Sequence, residues 1–137
     1  MQKKFARSFD ELKAIVAFTE QFFEDESIDP GLRYVVDLCV EEIFVNMVSY
    51  NTETTENILI EMAPHEHGIQ VSLTDYNVER FDPREAGPVD INAPLDERTP
   101  GGLGLYLVLK MVQSIHYEYR NRTSKITFVA EGKGGNV

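Results

Sequence analysis

Two polar side chains, Glu42 and Asn46, interrupt the apolar helical run over residues 29–50. Their four-residue spacing is about one α-helical turn, so both project from the same face. A carboxylate and an amide buried there cost free energy unless something pairs with them. The combination suits phosphoryl chemistry. Magnesium keeps most of its shell as water and nucleotide phosphate oxygen, so a single side-chain oxygen such as that of Asn46 suffices to hold it. Glu42, one turn away, is placed to take a proton from a water or hydroxyl attacking a γ-phosphate. On the helix alone, the competing reading is an ordinary half-buried pair satisfied by water or by the next loop.

Gly101, Gly102 and Gly104 lead into a strongly apolar helix expected over 103–114. Unpaired amides in a first helical turn, together with the helix dipole, favour phosphate oxygens. No Gly-Lys-Ser/Thr follows, which excludes a Walker loop. A proline-rich stretch precedes the glycines where a dinucleotide fingerprint needs a strand, and Leu107 fills the place of that motif's third glycine. Glycines before helices also serve tight turns, so this box carries meaning only with its neighbours. One neighbour is Asp75, at the end of an expected strand. Another is the stretch 75–100, with prolines at 83, 88, 94 and 100 and little periodicity, which reads as a long lid or binding loop. His65 and His67 lack further ligands at metal-binding spacing. Cys39, within the apolar helix, reads as a small core residue.

These residues need a scaffold, and its elements are marked. Asp29 is a good N-cap, Pro30 suits the first helical position, and the run that follows is apolar around nearly its whole circumference, as in a helix packed inside a domain. Ser8 or Asp10 caps a one-sided helix over 11–24, behind a short edge strand over 3–7. Residues 57–63 and 69–74 alternate as a hairpin across a turn at 65–68, with Pro64 ending the first strand. Residues 115–120 and 125–130 form a second hairpin across 121–124. This order predicts an α+β fold, a two-layer sandwich with one mixed, mostly antiparallel sheet and helices on one face. A single domain is expected over 1–131, with a flexible glycine-rich tail over 132–137.

At 137 residues, 42% of them apolar, the chain can bury a real core without metal or disulfide staples. A net charge of -10 argues against nucleic acid and anionic membranes as partners. The single cysteine excludes a disulfide framework, and neither an apolar signal region nor a membrane span is present, so a cytoplasmic location is expected.

Taken together, the motifs resemble those of the GHKL ATPases, and within them the stand-alone anti-sigma-factor serine/threonine kinases. The segment Glu41-Glu42-Ile43-Phe44-Val45-Asn46 resembles that family's N box, in which the Asn holds magnesium and the Glu is the proposed base. Asp75 matches its adenine-reading aspartate, and Phe81-Asp82-Pro83 a short motif that follows. Leu95-Asp96-Glu97-Arg98-Thr99-Pro100, leading to Gly101-Gly102-Leu103-Gly104-Leu105, is similar to its lid end and phosphate-binding glycine box. Thr127 falls where the family often has a threonine near the adenine. The resemblance implies the Bergerat, or histidine-kinase-like ATPase, fold. It further implies an ATP- and magnesium-dependent kinase that phosphorylates an antagonist protein and sequesters a sigma factor, with a homodimer as the family's assembly. Glu42 would then be the base, Asn46 the magnesium ligand, and Asp75, Asn77, Arg98, Gly102, Leu103, Gly104, Leu105 and Thr127 would line the nucleotide. The chain departs from the family in having Asn77 where glycine is usual, and one extra residue between Asp75 and Phe81. The alternative expectation is a regulatory interaction module of the same fold that binds nucleotide weakly and performs no transfer.

Overall fold

The computed structural model describes residues 1–80, 112 and 114–132. Its order is strand β1 (Gln2–Phe5), helix α1 (Leu12–Asp25), helix α2 (Arg33–Tyr50), and strands β2 (Ile58–His65), β3 (Gly68–Tyr76), β4 (Ser114–Arg120) and β5 (Thr123–Glu131). The strands form one sheet in the order β1-β2-β3-β5-β4, and every described pairing is antiparallel. Both expected hairpins are present, but β3 lies between β2 and β5. That places the two hairpins side by side, with β1 at one edge and β4 at the other.

Alternation sorts the sheet into two faces. Ile60, Val71, Leu73, Ile126 and Phe128 are buried and share one core with Phe18 and Phe22 of α1 and Val36, Val40, Ile43, Phe44 and Met47 of α2. On the other face the paired residues Ser72 and Thr127 bring their hydroxyls to 2.9 Å. The helices therefore cover one face, making this the expected α+β sandwich. β1 is short, yet Phe5 is fully buried and stacks on Phe18 with ring centroids 5.7 Å apart. No helix among the described residues is long and apolar enough to cross a membrane.

Local chemistry explains where the boundaries moved. Asp29 Oδ1 accepts from Gly31 N at 2.9 Å and Leu32 N donates to Asp29 O at 3.0 Å, so the cap first closes a 3-10 turn, Pro30–Leu32, before α2 begins. Pro64 does not end its strand. β2 runs to His65 and pairs Pro64 with Ile69, while its pairing with β1 stops near Met62, leaving that side of Pro64 without a strand that would need its N–H. The β4–β5 turn has Asn121 and Arg122 both at positive φ, 51° and 59°, the mirror-image turn that suits the twist of a tight hairpin.

The β2–β3 turn depends on the absence of a side chain at Gly68. A Cβ there would lie 2.0 Å from Ala130 O and 2.7 Å from Glu131 Cα, both backbone atoms of β5. Gly68→Ala is expected to destabilise the fold by about 1–3 kcal/mol through forced separation of β3 and β5, read as a lower urea midpoint.

Candidate functional site

The last turns of α2 carry the pair singled out by its spacing. Asn46 is buried, and its Oδ1 has no hydrogen-bond partner among the described residues. An amide oxygen in that condition loses the compensation that burial normally requires, so its position calls for an external partner. Glu42 is half-buried. Its carboxyl is pushed above the ordinary 4.5, first by burial and then by the charge of Glu41. A raised carboxyl is a better proton acceptor once ionised, which is the property a general base requires. Cys39, fully buried, has its thiol pushed up to about 12, by burial first and the charge of Glu42 second, so it stays neutral and packs as a core residue.

Asp75 sits near the end of β3 and is fully buried. It is not free. Arg7 forms an ion pair with it, and Asn51 Nδ2 donates to its Oδ2 at 2.7 Å. Asn51 also ends α2, its N–H donating to Met47 O at 3.1 Å, so this contact ties the end of the Asn46 helix to the end of β3. The polar loop after α2 is fastened to the same strand end: Thr54 Oγ1 donates to Tyr76 O at 3.0 Å, and Glu53 Oε1 accepts from Glu79 N at 3.0 Å. Backbone N–H groups of Glu53 itself and Glu79 hold the Glu53 carboxyl below its ordinary value.

Asn77 adopts φ 59°, the left-handed conformation that favours glycine and that Asn tolerates best among other residues. Its side chain is engaged, with Oδ1 accepting from Arg122 Nε at 3.0 Å. Thr127 is not brought to this group. Its partner across the ladder is Ser72, on the sheet face away from the helices. The residue opposite Asp75 is Ser124, which is buried and on the helix-covered face. Counting in steps of two back from Phe128 reaches that position, a signal already present in the alternation. Arg98, Gly102, Leu103, Gly104 and Leu105, most of the expected lid and the 103–114 helix lie outside the described residues.

The histidines belong elsewhere. His65 Nδ1 lies 3.8 Å from Glu131 Oε1 at the β2–β3 turn, the opposite end of β3 from Asp75. Arg7, Asn51 and Thr54 were the residues not anticipated. Arg7 had one clue: it stands two residues past the inward-facing Phe5, hence on the same side of an extended chain.

The donor set thus divides. The Asn46 end fits a magnesium–nucleotide group, since a buried carbonyl oxygen without a partner is the ligand type that ion takes. The Asp75 carboxylate, by contrast, is already committed to Arg7 and Asn51.

Comparison with known proteins bears on the same elements. A serine/threonine-protein kinase, BtrW of Bordetella bronchiseptica, is 27% identical over 100 residues, covering 72% of this chain and 70% of that protein. Among solved structures, the RsbU and RsbW domains of Rv1364c from Mycobacterium tuberculosis match with a TM-score of 0.65 at 12% identity, a likeness of fold. That match covers 96% of this chain, which spans only 32% of the solved one. The family model for the histidine kinase-like ATPase domain matches residues 5–130, from the inward Phe5 of β1 to the last core residue of β5, and the chain belongs to that family.

Proposed function

We propose that the protein is an ATP- and magnesium-dependent serine/threonine kinase of the anti-sigma-factor type. It would phosphorylate an antagonist protein and bind a sigma factor, with a homodimer as its working assembly. The observation that carries this reading is the buried Asn46 Oδ1, without a hydrogen-bond partner among the described residues, one helical turn from a half-buried Glu42 whose carboxyl is pushed above its ordinary value. Magnesium held at Asn46 would supply charge neutralisation for the phosphates. Glu42 would accept the hydroxyl proton of the acceptor serine or threonine. Arg98, Gly102 and Gly104 would contact the phosphates, with Leu103 and Leu105 setting the helix start. Similarity to a serine/threonine-protein kinase supports the choice of acceptor. The second reading, a regulatory module without transfer, is favoured by one observation, the capture of Asp75 by Arg7 and Asn51.

Calorimetric titration with magnesium and ATP tests the first half. Asn46→Ala is expected to weaken binding by about tenfold or more, because one ligand oxygen is lost, while the melting temperature holds, because that oxygen has no partner to lose among the described residues. Undiminished binding would remove Asn46 from the site, and no heat with the native chain at millimolar ATP would sink the nucleotide reading.

Glu42→Gln tests the second half. Phosphate transfer to a candidate antagonist protein should fall by about 10²–10⁴-fold with ATP affinity retained. The acid limb of the native rate profile should have its midpoint above 4.5, since only the ionised carboxylate accepts the proton. Stability follows the same sign. The folded chain holds this proton more tightly than the unfolded one, so the favourable contribution is present below pH 4.5 and is lost as pH rises through the raised value. Glu42→Gln, neutral throughout, should therefore gain stability relative to the native chain on going from acid to neutral pH, measured by urea midpoints across that range.

A further inference from the structure

Arg7 turns from the edge strand into the interior, where its side chain is 9% exposed and that of Asp75 is 0% exposed. Nη1 donates to Asp75 Oδ1 and, at 3.4 Å, to Glu56 O. Nη2 donates to Asp75 Oδ2 at 3.3 Å, to Met47 O at 2.7 Å and to Asn51 O at 3.0 Å. Asn51 Nδ2 also donates to Oδ2, at 2.7 Å. The carboxylate thus spends both oxygens inside the protein, on a fork whose charge and geometry a neutral amino group cannot match. Displacing Arg7 would also strand a buried cation and take a donor from the carbonyls of Met47 and Asn51, of which Met47 O keeps its bond from Asn51 N.

We infer that Arg7, and not a nucleobase, is the resident partner of Asp75, so that a nucleotide in this site is selected at its phosphate end and not by its base. A free carboxylate accepts a hydrogen bond from the amino group of adenine and repels the carbonyl oxygen that guanine presents there. A carboxylate already committed to a guanidinium does neither. The part of the inference that concerns selection rests on the nucleotide reading above, whereas the pairing stands on geometry alone.

The experiment has two arms, both on the full chain. In the first, fluorescent ATP and GTP are titrated in magnesium buffer, and dissociation constants within about threefold of each other are expected, in contrast to the steep discrimination of a site that reads a base by hydrogen bonds. A preference for ATP of about tenfold or more overturns the inference. In the second, urea midpoints are measured for Arg7→Met, Asp75→Asn and the double variant. Each single variant is expected to lower the midpoint, with the double no worse than the worse single, and additive losses overturn the pairing. Should Arg7→Met not fold, Arg7→Lys, which keeps the charge and loses the fork, takes its place in the cycle. Binding of neither nucleotide refutes the nucleotide reading, and the cycle then decides the pairing by itself.

Discussion

The ion pair between Arg7 and Asp75 is the constraint on which this architecture turns. The last amide hydrogen bond of α2 runs from Asn51 N to Met47 O, and the carbonyls beyond it lie past the reach of the helix's own amides. Arg7 answers two needs with one planar group: it caps the carbonyls of Met47 and Asn51 and neutralises a carboxylate placed in the core. Desolvating both ions offsets much of what their attraction gains, so the pair is weak as a source of net stability. Its value is positional. It fixes where α2 stops relative to β3, and therefore where Asn46 stands relative to the strand end.

The site inherits two characters from this. At one end stand Asn46, whose Oδ1 has no hydrogen-bond partner among the described residues, and Glu42, whose carboxyl burial pushes above its ordinary value. At the other end Asp75 is taken by Arg7 and Asn51, Thr54 by the backbone of Tyr76, and Asn77 by Arg122. A nucleotide bound as proposed would draw its affinity from metal and phosphate contacts, in keeping with a phosphoryl transfer in which positioning and charge neutralisation supply most of the acceleration.

Much of this was legible before any coordinates. Asp29 and Pro30 announced α2, period-two alternation announced the hairpins, and Glu42 and Asn46 stood out because polar residues in an apolar stripe need a reason. The errors have physical causes. Pro64 reads as a strand end only if both sides of β2 are paired, and pairing across a sheet is not written in the strand itself. Thr127 was placed by resemblance, whereas parity from Phe128 puts its side chain on the other face. Parity from Phe5 hints that Arg7 faces inward, but its partner stands 68 positions away, a pairing that no local pattern announces. The glycine box, expected to carry phosphate, lies outside the described residues.

The residues of the ion pair stand 68 positions apart, and that separation orders events in time. On the ribosome, Arg7 emerges long before Asp75, by an interval on the order of seconds at ordinary rates of synthesis. Until β3 has been made and paired, Arg7 has the carbonyls of Met47, Asn51 and Glu56 within reach but not its carboxylate partner. The two helices and β1 can gather early, but the groove between α2 and the sheet takes its final shape only in a late, non-local closure. A chain released before that step would carry Glu42 and Asn46 on a helix whose far end is not yet fastened to β3.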